Sequence, residues 1–150
     1  MTISPVTPIR VMLVDDHPMV RRGLATMLMV FDDMRLVGEA ESGQAAIRLC
    51  AEVLPDVILM DMVMPNMDGA TATRATIRQQ HPQVQVLALT SFKEAPLIKT
   101  VLEAGAIGYL LKVVSADDLV CAIRAAHAGR AILSPEAAQS LVETANQPPA

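Results

Sequence analysis

Five side chains carry the chemistry this sequence can do: the adjacent carboxylates Asp15 and Asp16, the lone carboxylate Asp61, the hydroxyl of Thr90 and the ammonium of Lys112. They follow apolar runs: Val11-Met12-Leu13-Val14, Val57-Ile58-Leu59-Met60, Val86-Leu87-Ala88-Leu89 and Tyr109-Leu110-Leu111. Such runs suit strands buried on both faces of a parallel sheet. In open α/β sheets, ligands bind just beyond the carboxyl ends of the strands. Three carboxylates in one small pocket repel one another. A hard cation such as Mg²⁺, which usually takes only a couple of carboxylates and keeps several waters, offsets that charge. Aspartate attacks phosphoryl groups and forms an aspartyl-phosphate. A divalent cation and a lysine steady charge on a transferring phosphoryl group, with a hydroxyl donor beside them. Taken alone, Asp61 could equally cap a helix or solvate the loop that Pro65, Asn66 and Gly69 make. Five polar residues at the ends of four strands argue against coincidence.

These residues need a scaffold that gathers four strand ends, and the remaining pattern supplies one. Ile9 to Val14 reads as a first strand and Pro18 as the first position of a helix running to about Phe31, with Val20, Leu24, Met27, Leu28 and Phe31 as its core stripe. Leu36 to Ala40 is a short second strand. Ser42 caps a second helix to about Val53. The third strand, Val57 to Met60, delivers Asp61; a third helix runs from about Ala70 to Gln80 and stops at His81-Pro82. Val84 to Leu89 is strand four, Ala95 to Ala104 helix four, and Gly105 its stop. Ile107 to Leu111 is strand five. Helix five starts at Ser115, carries Asp117 and Asp118 in its first turn with Arg124 and His127 near its end, and closes near Gly129. A last short helix spans Ser134 to about Thr144. Five strand–helix alternations predict an α/β fold: a five-stranded parallel sheet, doubly wound, in the order 2-1-3-4-5, with an extra short C-terminal helix. That order sets strands one and three side by side, so Asp15, Asp16 and Asp61 converge at one end of the sheet.

At 150 residues the chain is expected to form one domain. A net charge of −4 argues against direct grip on a nucleic-acid backbone, and three aromatics (Phe31, Phe92, Tyr109) make no stacking platform. No run approaches the roughly 18 apolar residues of a membrane span, and the N-terminus lacks a secretory signal pattern, so the expected location is cytoplasmic. Cys50 and Cys121 sit far apart in helical patterns and read as free thiols.

Val14-Asp15-Asp16-His17-Pro18, Asp61-Met62-Val63-Met64-Pro65-Asn66-Met67-Asp68-Gly69, Leu89-Thr90-Ser91 and Ala104-Gly105-Ala106-Ile107-Gly108-Tyr109-Leu110-Leu111-Lys112 resemble the landmarks of a CheY-like receiver domain, in order and across residues 9–129. The DDHP opening, GYLLK and Ile132-Leu133-Ser134-Pro135-Glu136 resemble the NarL/FixJ (LuxR-type) subfamily of two-component response regulators. The resemblance implies that Asp61 is the phosphoacceptor for a sensor histidine kinase. It implies Mg²⁺ held by Asp16, Asp61 and the backbone carbonyl of Val63, with Asp15 acting through a water. Thr90 and Lys112 would engage phosphoryl oxygens, and Thr90 and Tyr109 would form the switch, Tyr109 turning inward. Val63 and Phe92, two residues beyond Asp61 and Thr90, flank the water path in this family, and apolar side chains there predict slow hydrolysis. Val113 departs from the family pattern, in which many members have proline after the lysine.

The implied domain plan is a flexible N-terminus over 1–8, a receiver over 9–129, and an extension over 130–150 leading to an absent LuxR-type DNA-binding output domain. Any DNA contact would go through that domain. A stand-alone receiver working by protein contacts is the rival within signalling. A haloacid-dehalogenase-type phosphatase also uses an aspartate nucleophile after a strand, but it wants a second acid where this chain has Val63. Extra apolar surface, with Met19, Ala25 and Met29 on helix one and Val120, Cys121, Ala125 and Ala128 on helix five, suggests a homodimer through those helices. The face of helix four, strand five and helix five is the alternative. Met64 and Met67 are candidates for a partner surface, and the other methionines for core filler. His17, His81 and His127 are scattered; only His17, beside the acidic pair, could tune the site.

Overall fold

The computed structural model describes residues 7–90, 95–130 and 132–133. Their elements are β1 (Ile9–Val14), α1 (Pro18–Met29), β2 (Met34–Ala40), α2 (Gly43–Val53), β3 (Val57–Asp61), α3 (Gly69–Ala72), β4 (Gln85–Thr90), α4 (Ala95–Glu103), β5 (Gly108–Leu111), α5 (Ala116–His127) and β6 (Ile132–Leu133). The sheet order is β2-β1-β3-β4-β5-β6, parallel in every pair. The expected 2-1-3-4-5 arrangement stands, and β6 adds a sixth strand beyond β5. Two residues are too short for period-two alternation, so no strand was legible there. The expected helix over 134–144, residues 1–6, Ser91 and Phe92 lie outside the described residues.

Alternation along the strands splits the core into two layers. Met12, Val14, Ile58, Met60, Val86, Ala88 and Tyr109 face one side and pack with Ala46 and Cys50 of α2 and Val101 of α4. Val11, Leu13, Val57, Leu59, Leu87, Leu89 and Leu110 face the other and pack on Leu24 and Leu28 of α1 and Leu119, Val120 and Ile123 of α5. Each strand is therefore anchored from both sides, which fixes the height at which its end emerges. The registers Val14↔Met60 and Asp61↔Leu89 set the ends of β1, β3 and β4 close together.

Helix ends follow local chemistry. Ser42 and Ser115 accept from the backbone N–H of Ala45 and Asp118, and Pro18 opens α1. The third helix departs from expectation. It is α-helical only over Gly69–Ala72 and π-helical over Thr73–Arg78. Buried Thr73 turns its hydroxyl onto the Gly69 carbonyl at 2.7 Å, a side-chain bond that competes with the regular helical ladder. Three further expectations change. Met64 is buried in the core rather than on a partner surface, Met67 is partly buried against it, and Val120 belongs to the core rather than to an outer face of α5. Both cysteines are free thiols, Cys50 buried and Cys121 exposed. Among the described residues, no helix is long and apolar enough to cross a membrane.

Candidate functional site

The structure brings Asp15, Asp16, Asp61 and Lys112 together at the carboxyl end of the sheet. Asp15 and Asp61 are almost wholly buried, at 1% and 2% exposure. One donor atom from each of Asp15, Asp16, His17 and Asp61 falls within a cluster 4.8 Å across. Lys112 Nζ lies 2.7 Å from Asp15 Oδ2 and 3.3 Å from Asp61 Oδ2, spanning both carboxylates. Asp15 Oδ2, Asp16 Oδ1 and Asp61 Oδ2 are buried yet accept no directed hydrogen bond. Lys112 is the ion-pair partner of two of them, Asp15 Oδ2 and Asp61 Oδ2.

Backbone geometry aims these groups. Asp61 ends β3, and its Oδ1 accepts from Val63 N–H at 3.1 Å, turning Oδ2 towards Lys112. Gly69 lets the loop fold back. A Cβ there would run into the Asp61 carbonyl and lie 2.7 Å from Met62 Cε. Asp68 caps α3 by accepting from Thr71 N–H at 2.7 Å. On the β1 side, Asp15 Oδ1 accepts from His17 N–H at 2.8 Å. Lys112 is carried by β5, whose neighbour β4 ends at Thr90; Lys112 N–H donates to the Thr90 carbonyl at 2.8 Å. Thr90 is buried at that strand end, and Tyr109 is wholly buried.

Two residues contribute that sequence reasoning underweighted. His17 Nδ1 sits 3.2 Å from Asp15 Oδ1 and 3.1 Å from Asp16 Oδ1, so the histidine beside the acidic pair does face it. Arg21 donates to the Asp15 carbonyl at 2.6 Å and lies 3.5 Å from Glu39, bracing the loop after β1. Its place in the first turn of α1, facing back over that loop, was the available signal. Val63 stands half-exposed at the mouth with its N–H spent on Asp61.

Electrostatics decide what the cluster can hold. Two unit charges 4.8 Å apart repel by about 3 to 4 kcal/mol at an effective dielectric near 20. Three carboxylates against one ammonium leave two negative charges uncompensated. Burial, with the nearby Asp15 charge, lifts the Asp61 carboxyl to about 6, although the Val63 N–H and Lys112 oppose that rise. Burial alone would lower Lys112, but Asp15 and Asp61 more than offset it and hold its pKa up. A divalent cation would balance the excess, and the three carboxylate oxygens without hydrogen bonds are hard donors of the kind it takes.

Comparison with known proteins places this arrangement in a family. The response regulator receiver domain model matches residues 11–124. The response regulator GacA of Pseudomonas viridiflava is 42% identical over 140 residues, covering 93% of this chain and 65% of that protein. The transcriptional regulatory protein LiaR of Bacillus subtilis is 47% identical over 121 residues, 81% of this chain and 57% of its own length. Among solved structures, a LuxR-family two-component response regulator from Aurantimonas sp. SI85-9A1 superposes with a TM-score of 0.88 at 37% identity, covering 94% of this chain and all of that one. The chain thus spans less than two thirds of the length of these curated relatives. With a matching family model across most of its length and the acid cluster at the expected strand ends, the chain belongs to the response regulator receiver domains.

Proposed function

We propose that Asp61 accepts a phosphoryl group from a sensor histidine kinase and that the chain works as a switch rather than as an enzyme. The carrying observation is the buried Asp61 Oδ2, which accepts no hydrogen bond, lies 3.3 Å from the Lys112 ammonium and sits beside two more carboxylates. Asp16, Asp61 and the Val63 carbonyl would hold Mg²⁺, with Asp15 behind a water. Bound there, the ion screens the carboxylates from an incoming phosphoryl group and steadies charge on it. Lys112 then leaves Asp61 Oδ2 for a phosphoryl oxygen while keeping Asp15. Thr90, at the end of β4, donates to another oxygen.

Phosphorylation adds about 1.5 to 2 negative charges and strong acceptor oxygens. Those oxygens favour the arrangement in which Thr90 and Lys112 close on the site and Tyr109 stays inward behind them, so the modification biases an equilibrium that exists without it. Residues 1–8 precede this receiver, 9–129 form it, and 130–150 lead towards an output domain. Similarity to a transcriptional regulatory protein supports a DNA-binding output module beyond this chain, and a cytoplasmic setting. The exposed Met19, Met29 and Val30 of α1 and its C-terminal turn support homodimer formation on the α1–α5 flank. A shallow hollow of about 380 Å³ lined by Met19, Arg22, Gly23 and Thr26 lies on the same helix.

The test is acetyl phosphate with Mg²⁺, read by intact mass. Wild type gains one phosphoryl group and Asp61→Asn gains none. Uptake by Asp61→Asn equal to wild type would overturn the assignment.

A further inference from the structure

β6 belongs to no strand end of the site, yet it stands on the outer edge of β5. Ile132 pairs with Gly108 and Leu133 with Tyr109 in a parallel ladder. The extension therefore joins, backbone to backbone, the strand that carries buried Tyr109 and delivers Lys112.

The chain reaches this place through a stop written in its sequence. Gly129 N–H donates to the Ala126 carbonyl at 3.0 Å and Arg130 N–H to the Ala125 carbonyl at 2.8 Å, the paired bonds of a Schellman motif. Gly129 takes φ 80°, a left-handed conformation that glycine adopts without penalty. The helix before it is pinned by Leu119, Val120, Ile123 and Ala126 in the core. The turn then returns the chain alongside β5 and in the same direction. β5, α5 and β6 make one strand–helix–strand unit.

An exposed edge strand offers unpaired N–H and C=O groups to another chain. With β6 in place, β5 offers none on that side where the ladder runs. We infer that the outer edge of β5 is an interaction surface whose occupant is this chain's own Ile132–Leu133 segment. That segment keeps a second copy off the edge and moves with the Tyr109 strand. Copies are left to meet on the α1–α5 flank rather than across β5. The coupling to Tyr109 rests on the phosphoacceptor reading; the occupied edge does not.

Hydrogen exchange on the full 150-residue chain separates the two parts. Without phosphate, at least one amide of Ile132 and Leu133 exchanges about tenfold or more slower than unstructured chain. Free exchange at both overturns the edge assignment, with no variant needed. Leu133→Pro removes an N–H, and Gly129→Val strains the turn. Each raises exchange across 108–111 by about fivefold or more while Val57–Met60 of β3 keeps its protection. Unchanged exchange across 108–111 counts against the pairing. After acetyl phosphate, with uptake on Asp61 checked by mass, exchange at 132–133 shifts together with that at 108–111. A shift at 108–111 alone overturns the coupling. Absence of uptake counts against the phosphoacceptor reading and the coupling with it, leaving the edge to the phosphate-free arm.

Discussion

Two regions of this molecule break the ordinary distribution of polar and apolar groups, in opposite directions. At the ends of β1 and β3, three carboxylate oxygens are buried without hydrogen bonds. On the outer side of α1, Met19, Met29 and Val30 are 88%, 79% and 75% exposed. The first departure is costly, because three clustered carboxylates outnumber the one ammonium that pairs with them, and buried charge in excess is destabilising. It persists because both strands are anchored on two faces and have no freedom to turn the carboxylates outward. The second costs little, since an exposed methionine merely forgoes burial. A small charged ligand completes the first region, and only a broad apolar surface completes the second.

The largest effect is expected where backbone meets backbone. Gly69→Val drives side-chain atoms into the Asp61 carbonyl and towards Met60 and Met62, and the carbonyl cannot move without displacing β3. The fold should lose about 3 kcal/mol, the upper range for overpacking, measured by denaturant unfolding. If Asp61 is the acceptor, phosphate uptake should slow as well, because moving its backbone carbonyl moves its carboxylate. A stable variant with normal uptake would mean the loop does not aim Asp61.

The next effect comes from charge. In a chelating buffer, the folded-state pKa of Asp61 is about 6 against an ordinary 3.8. The folded state therefore binds the extra proton more tightly, so this group's contribution falls as pH rises from about 4 to 6 and stays low above that. Asp61→Asn removes the penalty. It should be more stable than wild type by about 2 to 3 kcal/mol at pH 7.5, with the gap closing as pH falls towards 4. Added Mg²⁺ should narrow the same gap by stabilising wild type. A gap independent of pH would place the penalty elsewhere than on the Asp61 charge.

A smaller effect concerns the mouth of the site. Val63 offers an attacking water no hydrogen bond, so the acyl phosphate should persist. Val63→Asn together with Phe92→Glu should shorten the phosphate lifetime several-fold. The measurement is loss of the added phosphoryl mass with time.

Legibility in the sequence divided along the same line as the comparison. Asp15, Asp16, Asp61, Thr90 and Lys112 were readable because each ends an apolar run, and an uninterrupted run has one meaning in a parallel sheet. The order of strands followed from the alternation together with a doubly wound arrangement that puts strands one and three side by side. What periodicity could not show was which apolar residues lie outside the core. Val120 and Cys121 are adjacent on α5, yet one is fully buried and the other exposed. Met64 and Met67 stand in a loop by pattern and suggest a partner surface, yet Met64 is buried in the core and Met67 packs partly buried against it. The π-helical stretch was hidden too, because it depends on where the Thr73 hydroxyl turns. β6 was hidden by its length, although Gly129 marked the turn that leads to it.

The smallest effect on folding should come from the α1 flank, and that is what makes it diagnostic. Met19→Gln with Met29→Gln replaces two side chains that touch solvent over most of their surface, so unfolding free energy should shift by no more than about 0.5 kcal/mol. Phosphate uptake, set at the far end of β3, should match wild type. If this flank joins two copies, burying both methionines contributes about 1.5 to 3 kcal/mol for each side chain. Their loss should then weaken the phosphorylated dimer at least tenfold, read by sedimentation equilibrium or light scattering over a concentration series. Gly23 sharpens the result. It lies mid-helix with nothing within 4 Å of where a Cβ would stand, and a glycine there costs about 1 kcal/mol of helix propensity relative to alanine. Gly23→Ala should therefore stabilise the monomer and, if a partner helix packs against that gap, weaken the dimer. A variant that stabilised the monomer and left the phosphorylated dimer intact would take the α1 flank out of the interface.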